Sequence, residues 1–421
     1  MRRATLALPI VETPAQTVDH NFRVSAKLLD LGTDLQAILS TPRREVHMRI
    51  PLRMDDGALA MFESWLVQHN TVRGPSLNAL RMDACVDSEL ERALAEMATW
   101  GCALVNLPFG GAASGIACTP SNLSARELEA LTRAFTSRAR RLIGVYEEII
   151  APDLNTPGEV MGWIVDEYST SPDSVSASVT GKPVAIGGAL NHEIATGRGA
   201  RIAVREMARD IPLELKGARV IVQGLGAAGR SVARELVDLG CIVIGVSNGS
   251  WALYSGEGIR LEAILSHPED SMGTLAEVGE AEAIEADDLL AHDCEILVSA
   301  AGESALNGSN AADVRARMIL EISTLATTPA ADLLFEQLGI TVIPGILASA
   351  GAMVASFLEW EQNLEQKRWV ASHAEAQLEA IMLRACRAVQ RRAQQDGISL
   401  RSAAHCIALE RVARMEKLRG I

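Results

Sequence analysis

The glycine-rich turn at residues 224–229 carries the clearest chemical pattern of the chain. Its sequence, GLGAAG, matches G-x-G-x-x-G. In such a turn the first glycine permits a tight bend, the second lets a pyrophosphate approach the backbone, and the third lets the following helix pack on the strand. The phosphates then lie at the helix N-terminus, where backbone N–H groups bind anions. The spacing therefore predicts a dinucleotide site formed by Gly224, Gly226, Ala227, Ala228 and Gly229.

The residues on either side of this turn predict the elements that must position it. Residues 220–222 are a β-branched run, which is typical of a strand buried on both faces. Apolar residues at helical spacing follow at 232–239, Gly240 ends the helix, and residues 241–246 form a second apolar strand. Strand, glycine turn, helix and strand in this order predict a Rossmann domain.

The second strand lacks the acidic residue that usually completes this pattern. An Asp or Glu at its end grips the ribose hydroxyls of the adenosine. Here Val246 and Ser247 are followed by Asn248, which can hydrogen-bond a hydroxyl but brings no charge. The residues therefore leave NAD, NADP and no nucleotide open.

Composition excludes several other classes of protein. The 421 residues are enough for two domains with full cores, and no apolar run is long enough to span a bilayer. The net charge of −14 argues against a nucleic-acid surface. Seven cysteines are scattered without a C-x-x-C pair, which favours reduced core cysteines in a cytoplasm and no metal site.

Hydrophobic periodicity predicts an α/β fold with two domains. We expect an N-terminal domain over residues 1–185 and a Rossmann domain over residues 186–349, in which strands and helices alternate as a parallel sheet requires. Residues 174–199 are rich in Ser and Gly and predict the hinge between the domains. Residues 350–421 are almost wholly helical and are expected to pack back on the first domain.

Local patterns predict the individual elements of the first domain. They are a helix over residues 21–40, a hairpin with strands at 44–51 and 58–69, a helix at 89–100, a strand at 102–107 that enters a glycine-rich loop at 108–111, and a helix opened by the capping box of Ser124 and Glu127.

Short stretches over residues 21–421 resemble the glutamate/leucine/phenylalanine/valine dehydrogenase family, most closely its hexameric glutamate dehydrogenases. Among them are PLRMDDG (51–57), RGP (73–75), MATWGCALVNLPFGG (97–111), APDLNT (151–156), VTGKP (179–183), ATGRG (195–199), VQGLGAAG (222–229) and SFLEW (356–360). The resemblance implies a first domain that binds substrate and builds the oligomer, and a second that binds NAD or NADP.

The chemistry of that family needs particular groups. A hydride passes between the nicotinamide and the α-carbon of the amino acid, while ammonia adds to or leaves an imino acid. This reaction requires a lysine with a lowered pKa, a carboxylate that moves the proton, and cations that hold the substrate carboxylate.

The chain departs from the family at these positions. By resemblance, Ala113 stands at the catalytic lysine, and Gly101 and Leu77 replace two lysines that hold the substrate. The proton-shuttling carboxylate is retained as Asp153, and Arg81 lies in the same motif as Leu77. The substrate or effector pocket is expected to include Leu77, Arg81, Gly101, Met353 and Ser356.

The cofactor side departs from the family as well. Thr324 replaces an asparagine that touches the nicotinamide, and Ser349 replaces a second one, while Thr196 and Ser356 are retained. With the glycine turn, the expected cofactor contacts are Thr196, Asn248, Ala301 and Thr324.

These departures predict a glutamate dehydrogenase homologue that has lost its own catalysis. We expect a regulatory subunit that binds a small amino acid, in a homo-hexamer or in a hetero-hexamer with a catalytic paralogue. The replacement of three lysines by Leu77, Gly101 and Ala113 favours an apolar amino acid over glutamate. The alternative is a working NAD(P)-dependent amino acid dehydrogenase with altered specificity.

Overall fold

In a computed structural model, the chain is described over residues 12–170, 175–189, 192–249, 251–266 and 281–420. Its strands are β1 (Arg44–Arg53), β2 (Leu59–Asn70), β3 (Ser76–Asp83), β4 (Gly110–Ala117), β5 (Glu148–Pro152), β6 (Arg219–Gln223), β7 (Ile242–Asn248), β8 (Trp251–Tyr254), β9 (Glu282–Ile284), β10 (Cys294–Ser299), β11 (Ala316–Glu321) and β12 (Thr341–Ile343). Its helices are α1 (Pro14–Leu28), α2 (Thr33–Leu39), α3 (Ser88–Leu104), α4 (Ala125–Ala139), α5 (Gly158–Ser169), α6 (Ala195–Met207), α7 (Ala227–Asp238), α8 (Leu261–Leu265), α9 (Pro329–Leu338), α10 (Gly345–Ala348), α11 (Ala350–Leu364), α12 (Ala371–Asp396) and α13 (Leu400–Leu418). None of these helices is both long enough and apolar enough to cross a membrane.

The elements divide into two compact units. The first, called here the five-stranded unit, comprises residues 22–193, 352–381 and 405–421. The second, called here the seven-stranded unit, comprises residues 194–351 and 382–404 together with the described residues before 22. The boundary between them lies inside the predicted hinge at 174–199, of which residues 174, 190 and 191 are outside the described chain.

The five-stranded sheet has the order β1-β2-β4-β3-β5. Strands β1 and β2 form the predicted hairpin, β2 also pairs with β4 in the antiparallel sense, and β3 runs parallel to both β4 and β5. One face packs on α4 and α5 through a core that includes Ile50, Leu66, Leu80, Phe135 and Ile164. The predicted capping box at the start of α4 is confirmed, because Ser124 and Glu127 bond each other's backbone N–H.

The strand predicted at residues 102–107 is wrong. Helix α3 continues through Cys102 to Leu104, and both side chains are buried, so the apolar run carries no alternation that separates a helix from a strand. The predicted glycine-rich loop at 108–111 instead runs into β4, which starts at Gly110. Gly111 is needed there because a Cβ would lie 2.1 Å from the backbone nitrogen of Thr99 in α3.

The single helix predicted at residues 21–40 is also wrong. The structure has two helices, α1 and α2, which are separated by a turn at residues 29–32. Asp30 adopts a left-handed conformation with φ of 49°, which a continuous right-handed helix excludes. Gly32 then precedes α2 in an extended conformation, as an N-cap requires.

The seven-stranded sheet confirms the Rossmann prediction. Its order is β12-β11-β10-β6-β7-β8-β9, and the strands from β12 to β7 are parallel. Strands β8 and β9 extend this sheet in the antiparallel sense and were not predicted from the sequence. The core on one side of the sheet includes Ile221, Ile244, Leu297, Ile319 and Phe335.

The C-terminal helices contribute to both units. We expected all of residues 350–421 with the first domain, whereas the structure places residues 382–404 in the seven-stranded unit. Arg387 pairs there with Glu206 of α6, and Arg401 pairs with Glu321 at the end of β11. Contacts between residues so distant in sequence leave no trace in local periodicity.

Candidate functional site

The predicted substrate-side residues of β3 and β4 lie on one face of the five-stranded sheet. The register pairs Leu77 with Gly111, Ala79 with Ala113, and Arg81 with Gly115. Because side chains alternate between faces along a strand, paired residues on parallel neighbours point to the same side. Leu77, Arg81 and Ala113 therefore share a face, and α3 packs on it through Ala95.

Ala113 lies in an apolar part of this face. Its side chain is 2% exposed and packs with Val67 of β2 and Ala95 of α3. Along the sheet, Ala113 pairs with Ala79, and Ala79 pairs with Ala151 of β5. The position that the resemblance assigns to the family lysine is thus the end of a row of three alanines, and these three side chains can neither accept nor donate a proton.

Lys182 is the only lysine between residues 28 and 215. Its Nζ donates to Glu359 Oε1 at 2.7 Å, and both side chains are fully buried. The other oxygen of Glu359 accepts the backbone N–H groups of Gly181 and Ala189 at 3.1 Å. Burial lowers the pKa of Lys182, and Glu359 opposes this shift.

This pair joins two stretches, VTGKP and SFLEW, that the sequence analysis used only as marks of the family. Sequence reasoning therefore missed the pair, although both partners stood in the quoted stretches. The pair holds the one lysine of this region in a sealed position.

Asp153, which the sequence predicted as the retained carboxylate, is paired with an arginine. The Nε of Arg81 donates to Asp153 Oδ2 at 2.8 Å, and the two side chains are 8% and 33% exposed. The backbone N–H of Asp153 donates to Thr156 Oγ1 at 2.8 Å, which fixes the loop after β5. A guanidinium remains protonated in proteins, so Arg81 can attract the carboxylate but cannot take up a proton from a reacting group.

The glycine at position 101 leaves room for a side chain from another helix. A Cβ at Gly101 would lie 2.7 Å from both Sδ and Cε of Met353 in α11. The thioether therefore fills the volume that any side chain at position 101 would enter. One turn further along α11, the buried Ser356 places Oγ 3.2 Å from Nε2 of His192.

In the seven-stranded unit, the glycine turn is fixed by backbone packing. Gly224 has φ of +91°, and a Cβ there would lie 2.4 Å from the carbonyl oxygen of Ala300. A Cβ at Gly229 would lie 2.0 Å from the carbonyl oxygen of Gly224. Both glycines are therefore required by the fold itself, whether or not a nucleotide binds.

The start of α7 fits the pyrophosphate of a dinucleotide. Gly226 is the N-cap and provides no side-chain cap, and Ala227 and Ala228 are exposed at the first turn. The backbone N–H groups of that turn would hold the phosphates, and the cofactor would supply or accept the hydride.

Three of the other predicted cofactor residues lie at the carboxyl edge of the parallel strands. Asn248 ends β7, Ala301 follows β10, and Thr324 follows β11, where Gly345 packs against it. Thr196 is the second residue of α6. This edge is where open α/β sheets bind ligands, so the arrangement fits a dinucleotide except for the missing acidic contact to the ribose.

Comparison with known proteins agrees with this architecture. Residues 42–170 match the family model described as Glu/Leu/Phe/Val dehydrogenase, dimerisation domain, and residues 187–420 match that of Glutamate/Leucine/Phenylalanine/Valine dehydrogenase. The chain is 38% identical to a glutamate dehydrogenase of Thermotoga maritima over 404 residues, which cover 96% of this chain and 97% of that protein.

Two solved structures extend the comparison to the fold. The hetero-hexameric glutamate dehydrogenase from Thermus thermophilus, in its Leu-bound form, superposes with a TM-score of 0.92 at 34% identity and covers 98% of both chains. The glutamate dehydrogenase from Peptoniphilus asaccharolyticus gives a TM-score of 0.80 at 30% identity over 97% of this chain and 99% of that chain. The chain therefore belongs to the Glu/Leu/Phe/Val dehydrogenase family and is a homologue of glutamate dehydrogenase.

Proposed function

We propose that this chain is a non-catalytic, regulatory subunit of a glutamate dehydrogenase complex and that its five-stranded unit binds a small apolar amino acid as effector. The observation that carries the proposal is the surrounding of Ala113. A methyl group, packed among Val67 and Ala95, stands where the family reaction needs an ammonium group.

Among the described residues, neither of the two cations Arg81 and Lys182 offers the missing proton chemistry. General acid–base catalysis needs a group whose pKa lies near the working pH, and such a group contributes about 10²–10⁴ in rate. Arg81 stays protonated, and the amine of Lys182 is sealed against Glu359. Asp153 alone lacks the partner that would activate water or the amino group.

The same face favours an apolar ligand. The apolar side chains of Leu77 and Ala79 lie on this face, and Met353 fills the space beside Gly101. Removal of three cations lowers the attraction for the second carboxylate of glutamate, which would have to give up its hydration without a charged partner. Arg81 remains as the cation nearest to the carboxylate of an amino acid.

One similar structure supports the assignment to a complex. The similar structure from Thermus thermophilus is a hetero-hexameric glutamate dehydrogenase with leucine bound. A chain that lacks the three family lysines at positions 77, 101 and 113 can serve a cell when it assembles with a subunit that has them. We therefore place this chain in an oligomer with a catalytic paralogue, under control of an amino acid such as leucine.

The proposal is tested with the purified chain alone. We expect no glutamate-dependent reduction of NAD or NADP, and calorimetry that detects leucine but not glutamate at the same concentration. The matched variant is Leu77→Lys, which restores one cation and is expected to shift binding toward glutamate. Ordinary turnover by the isolated chain would show that it is an enzyme in its own right.

The alternative function is a working dehydrogenase with altered specificity. The retained Asp153 and the dinucleotide-type turn at α7 favour it. A panel of amino acids with NAD and NADP separates the two: reduction with any of them supports the alternative. Binding of a nucleotide without turnover supports the regulatory subunit.

A further inference from the structure

We infer that Arg73 and Arg411 form a binding site for a small oxyanion at the C-terminal end of α3. Arg73 lies in the loop after β2, and Arg411 lies in α13; both belong to the five-stranded unit. The site uses none of the residues discussed above for substrate, effector or cofactor.

The two guanidinium groups meet at one end of one helix. Nε and Nη2 of Arg73 donate to the carbonyl oxygen of Leu107 at 3.2 and 2.9 Å, and Nη2 also donates to Asn106 Oδ1 at 3.0 Å. Nη1 of Arg411 donates to the carbonyl oxygens of Ala103 and Leu104 at 2.7 and 2.6 Å. The acceptors of Arg411 lie in the last turn of α3 and those of Arg73 lie within three residues of its end, so the two cations approach the same end of the helix.

The positive charge of this pair is not matched by carboxylates. Among the described residues, no carboxylate lies within 4 Å of either guanidinium. The Glu416 carboxylate, further along α13, accepts from Asn70 Nδ2 at 2.8 Å instead. Glu410 acts on Arg411 only at longer range. Burial lowers the pKa of Arg411, and the neighbouring Arg73 lowers it further, as expected for like charges brought together.

Capping of the helix does not account for both arginines. The partial negative charge of a helix C-terminus is about half an elementary charge, which one guanidinium exceeds. Within the described chain, Nη1 of Arg73 and Nε and Nη2 of Arg411 have no hydrogen-bond partner, and both side chains are partly exposed. Two forked donors with unused N–H groups are suited to the oxygens of a phosphate or a carboxylate.

The site is tested by calorimetry at constant ionic strength, with chloride as the reference anion. The probes are inorganic phosphate and succinate, which separate a phosphate ligand from a carboxylate ligand. We expect one of them to bind to the unmodified chain. The variants Arg73→Gln and Arg411→Gln keep an N–H donor for the helix carbonyls but remove the charge, and each is expected to weaken binding by at least about tenfold.

Two further variants keep the test decisive. Arg219→Gln removes an exposed arginine that pairs with Glu295 in the other unit, and it should leave binding unchanged. Arg411→Lys keeps the charge without the fork and should lose less affinity than Arg411→Gln. The inference is wrong if neither probe binds beyond the chloride reference, if the glutamine variants bind as tightly as the unmodified chain, or if they change only the oligomeric state.

Discussion

By resemblance, Asp153 corresponds to the family's proton-shuttling carboxylate, and its charged partner in the structure is Arg81. A lysine beside a carboxylate can share and release a proton, whereas an arginine only stabilises the negative charge. Arg81 thus stabilises the negative charge of Asp153 but provides no titratable cation beside it. This is why a retained carboxylate is weak evidence of retained activity here.

Ala113→Lys is expected to leave the chain inactive and to destabilise it. The new ammonium would be buried between Val67 and Ala95, which offer it no polar partner. The free energy of unfolding should therefore fall by about 2 kcal/mol or more. Thermal unfolding and glutamate-dependent NAD reduction measure the two effects. The control is Ala376→Lys in the exposed middle of α12, where a change within about 0.5 kcal/mol is expected. Turnover by Ala113→Lys would mean that the family register has been misplaced.

Glu148 predicts a pH dependence of stability. Burial raises the pKa of this fully buried carboxyl from 4.5 to about 7, although an N–H from Asn78 Nδ2 at 2.7 Å opposes the shift. The folded state therefore binds more protons than the unfolded chain between these two values. The contribution of Glu148 to the free energy of unfolding is complete below about pH 4.5. It is lost as the pH rises through about 7, and the total loss is on the order of 3 kcal/mol.

Glu148→Gln is expected to remove that dependence. Asn78 Oδ1 is buried and has no hydrogen-bond partner among the described residues, so a flip of the Asn78 amide would present an acceptor to the new amide group. Urea unfolding at pH 5, 6 and 7 measures the slope. The neighbouring exposed residue gives the control, since Glu147→Gln should leave the slope as it is. Parallel slopes for Glu148→Gln and the unmodified chain would contradict the assignment.

At the scale of elements, the sequence predicted best where pattern and fold coincide. Strand β6 extends the predicted run at 220–222 by one residue at each end, and at Gly224 and Gly229 of the predicted turn the backbone of other residues lies too close for a Cβ. The run at 102–107 failed because complete burial erases the polar alternation on which the distinction rests. The antiparallel strands β8 and β9 were missed because they are only four and three residues long.

The residues of the candidate site are predicted from family resemblance, whereas their contacts could not be predicted from the sequence. Family resemblance located Leu77, Gly101 and Ala113, and the sheet register shows why Leu77 and Ala113 share a face. The Arg81–Asp153 pair and the Met353 side chain above Gly101 join positions 72 and 252 residues apart. Such contacts follow from the packing of elements, which a single sequence does not encode in any local pattern.

Arg401 is expected to be essential for the stability of the seven-stranded unit. Its guanidinium is buried and bonds both oxygens of Glu321 at 2.8 and 2.9 Å and both oxygens of Asp332 at 3.0 Å. Burial opposes the charge, but the two carboxylates outweigh it and raise the pKa of Arg401. Arg401→Met leaves two carboxylates without their cation, so we expect a loss of about 3–5 kcal/mol in the free energy of unfolding.

The matched control for Arg401 is Arg219→Met. Arg219 pairs with Glu295 at 3.0 Å with a side chain that is 43% exposed, and its loss should cost no more than about 1 kcal/mol. Calorimetric unfolding of both variants compares a buried with an exposed pair in the same unit. Equal small losses would mean that the Arg401 network contributes little to stability. If Arg401→Met causes a large loss of stability, we also expect Thr324 to shift. Glu321, the partner of Arg401, accepts the N–H of Gly345, and Gly345 packs against Thr324.

At the scale of the whole molecule, the chain retains what the family uses for assembly. It matches relatives over 96–98% of its length, and the matched dimerisation-domain model covers residues 42–170. The residues that depart from the family by resemblance are Leu77 and Ala113 on one face of the five-stranded sheet, Gly101 in α3, and Thr324 and Ser349 in the seven-stranded unit. If the proposed loss of catalysis is right, the retention of both units fits a chain whose use lies in its contacts with other subunits.

The final prediction concerns those contacts. When this chain is co-expressed with a paralogue from the same genome that carries all three lysines, native mass spectrometry should show hexamers that contain both chains. The mixed hexamer should turn over glutamate, and leucine should change its rate, whereas a hexamer of the paralogue alone should respond differently to leucine. Leu77→Lys in this chain is the matched variant: because Leu77 is buried in the sheet, the new ammonium should lower the stability of the chain as at Ala113, but it leaves the subunit surface unchanged, so the mixed hexamers that form should respond more weakly to leucine. A monomer at micromolar concentration, or hexamers that exclude this chain, would contradict the proposal, because a chain without its own proton chemistry and without a partner has no route to influence glutamate turnover.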